Sequence, residues 1–62
     1  MQDSLRYYRV YRHYTQKEIA EYLGISRSAY TLYESGKRQP SIATLTKLAD
    51  LYQISLDALT GR

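Results

Sequence analysis

The sequence predicts an all-α fold, a compact domain of five short helices over residues 1–62. Three observations lead there. Apolar residues recur at spacings of three and four, the period of a helix face, and no long alternating run marks a strand. Thr15, Ser26, Ser41 and Ser55 each stand just ahead of such a stretch, where a side-chain oxygen can cap a helix start. Gly24, Gly36 and Gly61 follow three of these stretches, where a left-handed C-cap suits a residue without a Cβ.

The first helix is expected from about Asp3 to Arg12, closed by His13 where Gly or Asn would be usual. Leu5, Tyr8, Arg9 and Arg12 form the stripe expected to face the core. Tyr7, Val10, Tyr11 and Tyr14 form a second stripe, either lying half exposed along the body or docking another protein chain. The second helix, in "TQKEIAEYLG", opens on a Thr-x-x-Glu capping box, Thr15 with Glu18, presents Ile19, Tyr22 and Leu23 on one face, and stops at Gly24. Ser26 caps a third helix with Ala29, Tyr30 and Tyr33 on one side and Gly36 as its end. "KRQPS" reads as a loop, with Pro40 ahead of the cap Ser41. A longer fourth helix carries Ile42, Leu45, Leu48, Ala49 and Tyr52, and "SLDALTG" supplies a last turn or two.

Sixty-two residues lie below the size at which one core is comfortably stable alone, so help from a partner is plausible. With no cysteine and one histidine, neither a disulfide framework nor a Cys/His metal site can be assembled. Nine Lys and Arg against six Asp and Glu give a formal charge of +3, compatible with a polyanionic partner. No apolar run approaches the ~18 residues of a membrane span and no signal-peptide core begins the chain, so the expected location is the cytoplasm. No Ser, His and Asp constellation and no phosphate-cradling glycine loop is present; binding without catalysis or cofactor is the expectation.

Only Gly24 and Ile25 separate Leu23 from the Ser26 cap, so helix two must turn sharply into helix three, and Ala20 and Ala29 are small enough to let them meet. That is a helix-turn-helix over about residues 16–35, whose second helix, about 26–35, can enter a major groove ~12 Å wide. With Tyr30 and Tyr33 inward, Arg27, Ser28, Thr31, Leu32 and Ser35 lie on the opposite side. Arg27 can contact guanine bidentately, Ser28 and Thr31 suit several base edges, and Leu32 or the Thr31 methyl can lie against a thymine methyl. Gln16 opens helix two beside its free N–H groups, and Ser26 opens helix three; both are expected at phosphates. Lys37 and Arg38 follow helix three, placed for a second phosphate. Between Gly24 and Ser41 the sole acid is Glu34.

The stretch "TQKEIAEYLGISRSAYTLYESGKRQPS", followed by "TLTKLADLYQISLDAL", is similar to the helix-turn-helix core of the Cro/CI repressor family, also called the XRE family. The resemblance implies a lambda-repressor-like five-helix fold and sequence-specific binding of double-stranded DNA by a bacterial or phage transcriptional regulator. The usual form is a homodimer on a palindromic operator. It assigns Gln16 and Ser35 to phosphates, Arg27, Ser28, Thr31 and Leu32 to bases, and Lys37 and Arg38 to backbone beside the groove. It pairs Arg9 with Glu34 beneath helix three, and it favours dimer contacts through Leu51, Leu56 and Leu59. The competing reading is a protein-interaction module on the same fold, an antitoxin or phage accessory factor, holding its partner through Tyr7, Val10, Tyr11 and Tyr14.

Overall fold

The computed structural model describes residues 2–61, with the side chains of Gln2 and Asp3 excepted; the two end residues of the predicted domain, 1 and 62, lie outside the described residues. Five α-helices follow one another along the chain: α1 (Gln2–Tyr11), α2 (Gln16–Leu23), α3 (Arg27–Glu34), α4 (Ile42–Tyr52) and α5 (Leu56–Thr60). Among the described residues no helix is long and apolar enough to cross a membrane.

Local chemistry sets the boundaries. Thr15 Oγ1 accepts from the Glu18 N–H at 3.1 Å while the Thr15 N–H donates to Glu18 Oε1 at 2.8 Å, completing the capping box of α2. The hydroxyls of Ser26, Ser41 and Ser55 accept from the N–H three residues on, at 3.0–3.1 Å, and start α3, α4 and α5. Gly24 closes α2 with φ 74°, in the left-handed region expected of it. The end of α3 differs slightly from expectation: its last turn caps on Ser35 in right-handed conformation, and Gly36 makes the left-handed turn one residue later. His13 and Gln53 also adopt positive φ, 63° and 56°, to end α1 and α4. A side chain there crowds the following carbonyl, at a cost of roughly 1 kcal/mol.

The core gathers Leu5 from α1, Ile19 and Ala20 from α2, Tyr30 from α3, Leu45, Leu48, Ala49 and Tyr52 from α4, and Leu59 from α5. Tyr52 is its aromatic centre, with the Tyr8 ring stacked at 6.1 Å and Tyr14 tilted at 6.3 Å. Arg12, just past the end of α1 and exposed where its stripe is expected to face the core, donates through Nη2 to the Tyr52 carbonyl at 2.6 Å and so satisfies an acceptor that the end of α4 leaves free.

Four other side chains sit differently from their helical stripes. Tyr14 follows the left-handed turn at His13 and therefore packs inward, leaving Tyr7, Val10 and Tyr11 as the exposed row. Tyr22 is 46 % exposed and donates to the Lys47 carbonyl at 3.2 Å, bridging α2 to α4 from outside. Ile42, the first residue of α4, is 67 % exposed; it lines a groove with Pro40, Leu45 and Leu56 instead of filling the core. Leu59, expected on a dimer surface, is fully buried: α5 rests on both α4 and α1, and this side chain faces into that junction. It has no surface to offer a second chain, whereas Leu51 and Leu56 remain partly exposed.

Candidate nucleic-acid interface

The corner between α2 and α3 is built from small residues and backbone bonds. The Ile25 N–H returns to the Ala20 carbonyl at 3.0 Å, so the chain reverses around Gly24 while Ala20 is buried and Ala29 half-buried between the helices. Tyr30, wholly buried, anchors α3, and the Tyr33 ring meets it edge-on at 6.3 Å. The opposite side of α3 exposes Arg27, Ser28, Thr31, Leu32 and Ser35. Leu32, 36 % exposed, is the large apolar residue of that row.

Behind this row stands a polar cluster centred on Glu34. Arg9 Nε donates to Glu34 Oε2 at 2.6 Å and Arg9 Nη2 to Oε1 at 3.2 Å, a two-pronged pair whose side chains are 13 % and 7 % exposed. Arg9 Nη1 also donates to the Tyr14 carbonyl at 2.9 Å. Tyr30 Oη donates to Glu34 Oε2 at 2.6 Å, and Gln16 Nε2 to Oε1 at 3.2 Å. Burial by itself would push the Glu34 carboxyl up, but the hydrogen bonds from Arg9, Tyr30 and Gln16 outweigh it and hold the group below the usual carboxylate range. The hydrogen bond to Glu34 raises the Arg9 guanidinium; burial first, then Glu34, drives the Tyr30 phenol far upward. Burial pushes the Tyr52 phenol up to about 12; its hydroxyl lies near that of Tyr30 without meeting hydrogen-bond geometry. At neutral pH the cluster therefore holds one carboxylate, one guanidinium and two neutral phenols.

The cluster sets what the surface row has left to give. One of the two Gln16 amide hydrogens is spent on Glu34, so the second is available to a phosphate. The Thr31 hydroxyl donates to the Arg27 carbonyl at 2.9 Å and lies 3.5 Å from Gln16 Oε1, which weights its outward role toward the methyl group. Ser26 Oγ is engaged as the cap of α3 but keeps its hydroxyl hydrogen, and Ser35 donates to the Leu32 carbonyl at 3.1 Å. Arg27, Lys37 and Arg38 are exposed, and the structure pairs none of them with a described carboxylate. The exposed face of α3 therefore offers an uncompensated cation at each end with small polar and apolar side chains between.

Residues 5–59 match the family described as helix-turn-helix. The chain belongs to this XRE-type helix-turn-helix family. It is 40 % identical over 92 % of its length to the SPbeta prophage-derived uncharacterized HTH-type transcriptional regulator YonR of Bacillus subtilis, covering 53 % of that protein. It is 46 % identical over 77 % of its length to the cryptic phage CTXphi transcriptional repressor RstR of Vibrio cholerae, covering 43 % of it. An uncharacterized HTH-type transcriptional regulator of Methanocaldococcus jannaschii is 33 % identical over 92 % of the chain, which spans 86 % of that relative. The chain thus spans about half the length of the first two helix-turn-helix relatives and most of the third. No solved structure matches it.

The surface row is legible in the helical period and the Arg9–Glu34 pair follows from the family resemblance, whereas the bonds that Tyr30 and Gln16 donate to Glu34 are not among the expectations. A signal for the first was present. Tyr30 and Glu34 are four apart on one helix, the spacing at which side chains meet, and a buried phenol needs a partner for its hydroxyl. For Gln16 no local signal exists, because its partner lies eighteen residues away on another helix.

Proposed function

We propose that this chain is the DNA-binding part of a transcriptional regulator that lays α3 in the major groove of a specific duplex. The observation that carries the reading is the division of α3 into two faces, Tyr30 wholly enclosed and Arg27, Ser28, Thr31 and Leu32 open to solvent. The N-terminal residues of such a helix reach base edges, which gives Arg27 a guanine, Ser28 a polar base edge, and Thr31 with Leu32 a thymine methyl. Gln16, Ser26, Lys37 and Arg38 supply the phosphate contacts that fix register and most of the affinity, and Ser35 joins them only when its hydroxyl leaves the Leu32 carbonyl. Support comes from the names of the relatives, transcriptional regulators and a phage repressor. Binding, with no reaction, is the activity proposed, in the cytoplasm where the DNA is.

The same reading includes a homodimer on a palindromic operator, with half-sites about one helical turn, ~34 Å, apart. Its support is the groove lined by exposed Ile42 and partly exposed Leu56, with Leu51 partly exposed near the other end of α4. Selection of bound sequences from a random duplex pool tests the whole reading. A single enriched, two-fold symmetric motif is expected; no enrichment at micromolar protein and low salt refutes specific binding, and an asymmetric motif refutes the dimer.

A further inference from the structure

Gln16 stands between two shallow grooves on the face that presents α3. One holds Lys17 and Arg27 beside it. The other is lined by Arg6, Arg9, Gln16, Thr31, Glu34 and Ser35, and it joins α1 to the second half of α3. In this second groove Arg9 and Glu34 cancel at 2.6 Å, and the pair is largely closed off from solvent. Ser35 and Thr31 have their hydroxyl hydrogens on backbone carbonyls. Arg6 differs from all of these. It is exposed, one turn before Arg9 on α1, and bonds to no described residue. The net positive charge of the groove is therefore the charge of Arg6, and the donors left in it are the Arg6 guanidinium and the second N–H of Gln16.

We propose that Arg6 is a DNA-backbone residue, which extends the interface from the helix-turn-helix onto α1: its guanidinium and the free Gln16 N–H hold one phosphate at the mouth of this groove. The inference rests on the DNA-binding reading above. A phosphate fits better than a base because the groove leads from Ser35, just past the end of α3, to Arg6 on α1, whereas base edges are read chiefly from the start of α3 at Arg27. A guanidinium presents a planar fork of donors that matches phosphate oxygens, and the neighbouring carboxylate is already neutralised, so nothing in the groove opposes the anion. The Arg9 guanidinium, tied to Glu34 and the Tyr14 carbonyl, cannot supply the same contact without breaking that cluster.

The test measures duplex affinity by fluorescence anisotropy at 50 and 200 mM monovalent salt, for a selected duplex and an unrelated one. Wild type, Arg6→Ala, Arg6→Lys and Lys47→Ala are compared; Lys47 is an exposed α4 cation that lines neither groove. One lost phosphate contact lowers the slope of log affinity against log salt by about 0.9, so the advantage of wild type over Arg6→Ala should shrink about 3.5-fold across this range. The loss should be the same on both duplexes, because a phosphate carries no sequence information. Arg6→Lys should restore most of the slope, and Lys47→Ala should leave it unchanged. The melting temperature of Arg6→Ala should equal that of wild type; a large fall would overturn the assignment of Arg6 as a free surface group. Wild type binding steeply with salt while Arg6→Ala keeps the same slope refutes the proposal and leaves the DNA-binding reading standing. A loss on one duplex alone, or an equal loss in Lys47→Ala, also refutes it. If wild type retains neither duplex at low salt, the functional reading itself fails and takes the proposal with it.

Discussion

Replacing Glu34 by alanine removes the acceptor of four hydrogen bonds at once, two from Arg9, one from Tyr30 and one from Gln16. The consequences differ by donor. Gln16 can turn to water, and Arg9 keeps its bond to the Tyr14 carbonyl. What remains is a guanidinium only 13 % exposed with its counter-charge gone, and a phenol hydroxyl in a fully buried residue with no acceptor. Breaking a buried pair from one side costs about 3–5 kcal/mol, and the partial exposure of Arg9 points to the lower end, about 3 kcal/mol. For a domain this small, 1 kcal/mol moves the melting temperature by roughly 4–8 °C, so a fall of about 12–24 °C is expected. A core of this size supplies only some 3–5 kcal/mol in total, which puts the variant close to unfolding at room temperature. Thermal and urea denaturation followed by circular dichroism at 222 nm read this directly. A cycle with Arg9→Met and the double variant isolates the pair, and a coupling of at least about 1 kcal/mol is expected for groups in one network. A melting temperature within 2 °C of wild type, on the order of the shift a neutral surface change produces, would show that the cluster does not hold α1 to α3.

Three further expectations follow from the same geometry. Because the folded Glu34 carboxyl lies below its ordinary value near ~4.3, its contribution is complete above that pH and is lost as pH falls through the folded value. Urea midpoints should therefore drop on the acid side of about pH 4 for wild type more than for Glu34→Gln, and parallel curves would contradict the depressed carboxyl. Gln53→Gly removes a side chain from φ 56° on the solvent side of α4 and should raise stability by roughly 0.5–1 kcal/mol, whereas a lower melting temperature would mean that the Gln53 side chain is needed there. Arg27→Ala should relax preference at one base position by about 1–3 kcal/mol, measured as affinity for matched against singly mismatched duplexes; an unchanged ratio refutes its base-reading role.

What the sequence by itself determined is what depends on near neighbours along the chain. Thr15, Ser26, Ser41 and Ser55 cap their helices because each oxygen needs only the N–H three residues ahead. Gly24 makes the sharp corner because the left-handed turn is a property of one residue, and the outward row of α3 follows from the helical period once Tyr30 is taken as its inward anchor. Tertiary structure decided whatever depends on which element lies opposite. Ile42 and Leu59 are equally apolar and fit their stripes equally well, yet one hangs at the rim of a groove and the other is sealed beneath α1 and α4. Tyr22 and Tyr52 divide in the same way, because a phenol suits a surface bridge as well as a core and only the neighbouring helix chooses. Glu34 shows the limit most clearly. Its pairing with Tyr30 is written into a spacing of four, but those with Arg9 and Gln16 span twenty-five and eighteen residues and exist only because packing brings α1, α2 and α3 to one point.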